Sequence, residues 1–199
     1  MNWPGDAVMR RFAYCLLLLL PLSVHAVFLD CAFFDGFENP NTTDAAALGA
    51  LEVHNCARKT VTPAASTPIP QMTWNTTVAG TAQDWANGCN YAHGDHVGLG
   101  QNIYAAASTD PNFTATLTDA SLDWASEQPY YNYAANTCSA PNPPGTCGHY
   151  TQAVWSSTVQ LGCGIKFCTT GTPFPPPFLN WYFIVCDYNP AGNNGARPY

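Results

Sequence analysis

The sequence predicts an α+β domain, and three observations carry that prediction. Apolar residues recur at helical spacings in three stretches of the first two-thirds of the chain. Two later stretches, both bearing cysteines, have the length and residue pattern of strands. Helices and strands do not alternate in the regular way that builds a parallel sheet.

Taken in order, residues 1–26 read as an export signal. Arg10 and Arg11 precede an apolar run over 12–22 with five consecutive leucines, and Val24-His25-Ala26 offers small residues where a signal peptidase reads. The run falls short of the roughly 20 residues a membrane span needs. Residues 27–43 are an acidic-aromatic arm bearing Cys31, and the domain runs over 44–199. A first helix starts at Asp44, capped by Thr43 or Asp44, with Leu48, Leu51, Asn55 and Arg58 on one stripe before Pro63. A second spans 76–89, where Val78, Ala82, Trp85 and Cys89 share a face. The segment 90–107 is glycine-rich and reads as irregular; it carries His93, Asp95, His96 and Gln101. After Pro111 a third helix bears the stripe Leu117, Ala120, Trp124, Glu127 and stops at Pro129. A proline-rich loop covers 136–146. Over 159–167, Val159, Leu161, Cys163, Ile165 and Phe167 alternate with polar or glycine positions, the period of a strand with two unlike faces. A proline-rich connection over 169–178 leads to a last strand over 181–188, ended by Asn189-Pro190.

Charge narrows the function. Without residues 1–26 the chain has 12 acidic against four basic side chains, a net charge of −8. Such a chain is repelled by phosphate backbones, which sets nucleic acid aside, and it has no basic cluster for anionic lipid. No later run is long enough for an integral membrane segment. Nine cysteines become eight once Cys15 leaves with the signal. An even count in an exported chain, with no CxxC pair, reads as disulfides rather than zinc sites. Spacing alone leaves 105 pairings open.

Two strings carry a resemblance. CGHYTQAVWSSTVQLGCG (147–164) and NWYFIVCDYNPAGN (180–193) resemble the two signature motifs of the CAP superfamily, which groups cysteine-rich secretory proteins, antigen 5 allergens and pathogenesis-related proteins. VHNCARKTV (53–61) and AQDWANGCNYAHG (82–94) are similar to two further family segments, so the likeness covers about 48–193. It implies a three-layer α-β-α sandwich around an antiparallel sheet, stabilised by disulfides. It also implies the pairs Cys89–Cys168, Cys138–Cys147 and Cys163–Cys186, which leaves Cys31 with Cys56.

The resemblance further implies a solvent-reaching cleft with two histidines and two glutamates. These fall on His93, His149 and Glu127, with Gln101 standing where many members have glutamate. His93 and His149 are the candidate metal ligands, since neutral imidazoles suit a divalent transition metal. Glu127, a carboxylate on an inward stripe, needs a partner and is the candidate base. Gln101 is neutral, weakens a cation site and cannot serve as a base. The residue types leave structural roles open: His93 and His149 as hydrogen-bonding groups, Glu127 as acceptor for a buried donor. His96, beside Asp95, reads as a solvated loop residue, and His54 as a histidine bonded within the first helix. Ser156 and Ser157 lack a G-x-S-x-G elbow, and H-E-x-x-H is absent. Asn41, Asn75 and Asn112 head N-x-T sequons.

These observations predict a secreted, disulfide-rich CAP-domain binding protein, extracellular or, in a Gram-negative source, periplasmic. Its expected ligand is a lipid or sterol, a protein, or a divalent metal; no cofactor is required, and zinc is the ion it would accept. The chain is expected to be a monomer. The alternatives are a zinc-assisted hydrolase using His93, His149 and Glu127, and a structural interaction module.

Overall fold

The computed structural model describes residues 41–141 and 146–199. The export signal, most of the arm and Cys31, with its pairing to Cys56, lie outside the described residues. Helix α1 (Ala45–Lys59) begins where expected: the Asp44 carboxylate caps it by accepting the Ala47 N–H at 2.8 Å. Helix α2 (Thr76–Asn87) is capped by Asn75. Helix α3 (Leu117–Ala125) opens with a reciprocal capping box between Thr116 and Asp119.

Four strands form the central sheet: β1 (Thr73–Trp74), β2 (Gly100–Ala106), and, after the short hairpin β3 (Tyr131–Asn132) and β4 (Thr137–Cys138), β5 (Gln160–Cys168) and β6 (Trp181–Asn189). Their order is β1-β5-β6-β2; the long pairs β5–β6 and β2–β6 are antiparallel, and two-residue β1 joins β5 in parallel. Residues 100–106 are therefore a sheet edge strand, not irregular chain. Glycine at 100, only two branched or aromatic residues and a polar Gln101-Asn102 pair hide its period, and pairing to apolar β6 overrides that weak local preference.

β6 shows how the layers close. Ile184, Cys186 and Tyr188 pack with Leu51 of α1 and Trp124 of α3, whereas Trp181, Phe183 and Val185 pack with Ala82 and Ala86 of α2. Helices thus cover both faces, the three-layer sandwich expected. On β5, a Cβ at Gly162 would lie 2.1 Å from the Ala79 nitrogen and one at Gly164 2.3 Å from Gln83 Cα. The glycines in the alternating run are what let α2 lie against the sheet.

Cys89–Cys168, Cys138–Cys147 and Cys163–Cys186 are bonded, the three pairs the family pattern implies. Cys163 and Cys186 are direct cross-strand partners. Arg58 is buried, and its guanidinium donates to the carbonyls of Pro70, Ala153, Trp155 and Thr158 at 2.7–3.0 Å. Burial lowers it to about 10, so it stays charged at neutral pH. It ties α1 to a short helix the sequence did not announce, α4 (Gly148–Ala153), which lies inside the first signature string. The two signature strings also grip each other. Buried Gln152 accepts the Gly192 N–H at 2.9 Å and donates to Thr158, which donates to the Pro190 carbonyl. Asn193 accepts from Thr151 and donates to Gly148.

Candidate functional site

His149 sits in the first turn of α4, two residues after the disulfide-bonded Cys147. Glu127 lies just past the end of α3, where the chain tightens into a 3₁₀ turn (Gln128–Tyr130) with Pro129 inside it. The helical stripe drawn through Glu127 thus ends two residues early, yet the side chain still turns inward. Its Oε1 accepts the His149 Nδ1–H at 2.7 Å, and its Oε2 accepts the Tyr150 N–H at 3.0 Å. That bond sets the tautomer, protonated at Nδ1, and leaves Nε2 as the nitrogen available to a ligand. The imidazole stacks on buried Trp124, ring centroids 6.0 Å apart and 30° between planes.

Behind it runs a buried polar chain. Asn102 Nδ2 donates to the His149 carbonyl at 3.0 Å and to the Tyr188 hydroxyl at 2.9 Å. Tyr188 donates to His54 Nε2 at 2.8 Å, and His54 Nδ1–H donates to the Ala50 carbonyl at 2.8 Å, which confirms the bond expected within α1. Burial, with the Arg58 charge adding and the Ala50 carbonyl opposing, lowers His54 to about 4, so it is neutral. Burial also holds the Tyr188 hydroxyl protonated.

The other two candidate residues sit on β2 and the loop before it. Gln101 Oε1 accepts the Gly94 N–H at 2.8 Å and faces His93 Nδ1 at 3.2 Å, while its Nε2 donates to Asp187 Oδ1 at 3.0 Å. Asp187 is the residue paired with Gln101 across the β2–β6 ladder and is fully buried. Its other oxygen accepts from His96 Nδ1 at 2.8 Å. His96 is therefore not a solvated loop residue beside Asp95: its side chain is 13 % exposed and meets Trp85 edge to face. Burial raises the Asp187 carboxyl, partly offset by Gln101 and His96. A lone aspartate in the apolar string WYFIVCDY was the signal for this pair; its partner, 91 residues earlier, was not readable.

Tyr91 and Tyr104, close in sequence to His93 and Gln101, both feel the charge of Asp123. Burial first and then the Asp123 charge raise both hydroxyls, Tyr104 to about 12. Desolvation raises Asp123 itself, Glu127 adding and His149 opposing. Asp123 lies in the last turn of α3, four residues before Glu127.

The model of the cysteine-rich secretory protein family, CAP, matches residues 51–188, well over half of the chain. The chain belongs to the CAP family. Among its CAP relatives, pathogenesis-related leaf protein 4 of Solanum lycopersicum is 38% identical over 188 residues, covering 92% of this chain and 96% of that protein. Peptidase inhibitor 16 of Mus musculus is also 38% identical, over 151 residues, 75% of this chain but only 28% of that protein. Of solved structures, venom allergen-like protein 4 of Schistosoma mansoni superposes with a TM-score of 0.59 at 27% identity, covering 78% of this chain and 94% of that one. NaASP2 with Zn2+ superposes with a TM-score of 0.54 at 25% identity, covering 78% and 86%.

In this CAP domain the donors do not fit a three-ligand zinc centre. Among the described residues no three His, Cys, Asp or Glu side chains converge on one point, and His93 and His149 each engage a different partner through Nδ1. The four candidate residues instead form two hydrogen-bonded pairs, His149–Glu127 and His93–Gln101. A separate groove of about 520 Å³ opens at the far end of β5 and β6, lined among others by Phe113, Phe167, Leu179, Trp181 and Tyr182. Tyr182 carries Phe113 and Phe167 at 6.0 and 5.1 Å between ring centroids, and Phe167 and Leu179 remain 49% and 58% exposed. Among the described residues no helix is long and apolar enough to cross a membrane.

Proposed function

We propose that this chain is an exported, disulfide-locked CAP-domain binding protein whose groove takes an apolar ligand of the lipid or sterol class. The observation that carries the reading is the pair of half-exposed apolar side chains, Phe167 and Leu179, in a groove of ligand size with an aromatic wall. The polar residues support it by contrast, because Glu127, Asp187 and Gln101 already accept the N–H groups around them. A fluorescent fatty acid and a fluorescent sterol, titrated separately, test it. Binding of either, weakened at least tenfold by Phe167→Asp with Leu179→Asp and unchanged by His149→Ala, is the expected result. Loss on His149→Ala instead would move the ligand to the cleft, and no saturable binding of either probe would end the reading.

One observation favours a second reading, an acid/base hydrolase. Glu127 orients His149 as a carboxylate orients a general base, leaving Nε2 open. Turnover of ester or peptide substrates that Glu127→Gln abolishes, with the fold intact, would establish it.

A further inference from the structure

The three N-x-T sequons are equivalent in sequence and unlike in the fold. Asn75 caps α2, its Oδ1 accepting the Thr77 and Val78 N–H groups at 2.9 and 3.1 Å. Its Nδ2 donates to Gln160 Oε1 at 3.0 Å, across to β5. Asn41 pairs with both backbone groups of Trp74, accepting the N–H at 2.7 Å and donating to the carbonyl. At both positions the amide nitrogen that a sugar would occupy joins segments that meet at the β1 edge of the sheet.

Asn112 has no such duty. It lies exposed in the turn after Pro111, where the Asp110 carboxylate accepts its backbone N–H at 2.8 Å and the Phe113 N–H closes onto the Asp110 carbonyl. Among the described residues its Nδ2 reaches only Asp110 Oδ1, at 3.4 Å, beyond the usual hydrogen-bond range. Thr114, which completes the sequon, is also exposed.

We propose that Asn112 is the N-glycosylation site of this protein and that Asn41 and Asn75 are not. In the transfer, Asn112 Nδ2 bonds to the anomeric carbon of an oligosaccharide carried on a polyprenyl pyrophosphate. The anomeric C–O bond to phosphate breaks, the amide loses one proton, and the lipid pyrophosphate leaves; nothing is oxidised or reduced. The turn keeps every bond it needs, because none of them uses Nδ2. Asp110, Pro111 and Phe113 line the apolar groove, so the sugar stands at its rim.

The inference rests on the export reading, and the test separates the two. The full chain is translated with endoplasmic-reticulum microsomes beside the same chain with residues 1–26 exchanged for a proven cleavable signal. The expected result is one upward mass step in protease-protected chain, removed by an amidase that converts the acceptor asparagine to aspartate. Asn112→Gln abolishes the step; Asn41→Gln and Asn75→Gln leave it. A step seen only with the exchanged signal sinks the export reading while assigning Asn112. A step that survives Asn112→Gln, a second step in the unmutated chain, or protected chain without any step overturns the proposal.

Discussion

Among the described residues two carboxylates each hold a histidine, at 2.7 Å for Glu127–His149 and 2.8 Å for Asp187–His96. Geometrically they are twins, but their surroundings differ. Glu127 is 14% exposed, 22 residues from its partner, and takes its second bond from a backbone N–H. Asp187 is fully buried, 91 residues from its partner, and takes its second bond from the Gln101 amide. The first pair closes a local turn between α3 and α4 beside solvent. The second is a sealed cross-strand lock, in which a carboxylate occupies β6 while the opposite β2 position holds a neutral amide. Gln101 is thus the matched partner of a buried acid, which explains its neutrality better than a missing ligand does.

Each half has its own disulfide, and removing these should separate the halves most strongly. Cys89–Cys168 anchors the loop that bears His93 and His96 and spans 79 residues; Cys138–Cys147 anchors the start of α4 and spans nine. In the chain-entropy model their loss costs roughly 4–5 and 2–3 kcal/mol. Denaturant midpoints of the two double Cys→Ala variants should differ accordingly, and equal midpoints would show that the local half depends on its staple as much as the long-range half does.

Next in size is Gln101→Glu. On sequence grounds this change restores a family carboxylate and a tighter zinc site. In the fold it sets a second carboxylate about 3.0 Å from buried Asp187. The two cannot both ionise without a large penalty, so we expect a loss of about 3–4 kcal/mol at pH 7, shrinking toward pH 4 as the pair shares a proton. Adding Asp187→Asn should recover most of it. A single variant as stable as the unmutated chain at pH 7 would mean that the lock is not sealed.

His54 supplies the control, a buried histidine bonded to the Ala50 carbonyl and the Tyr188 hydroxyl. The unfolded chain takes up its proton near pH 6.5 and the folded chain only near pH 4. Between these values the unfolded state binds more protons, so stability is complete above pH 6.5 and drains as the pH falls toward 4, by about 3 kcal/mol. His54→Gln should flatten that slope in urea titrations run at each pH. An unchanged slope would show that His54 is not the group that drains stability in acid.

By itself the sequence determined the three helices, the two long strands, the bonded cysteine pairs and the polar residues His149 and Glu127. The helices and strands rest on short-range periodicity, whereas the cysteine pairs and the two site residues rest on what the family resemblance carried by the signature strings implies. Those strings were so readable because they hold the fold: Gln152, Thr158, Gly192 and Asn193 exist largely to bind one string to the other. Only the tertiary structure decided that residues 100–106 are a strand, that His96 belongs to Asp187, and that Gln101 answers a buried charge. Only there, too, did the three sequons become unequal and Phe113, Phe167 and Leu179 become one groove. The reason is physical. Periodicity reports which side of an element is apolar, but a cross-strand partner is set by register, and register on β2 is fixed by β6, whose paired residues lie between 76 and 88 positions further along the chain.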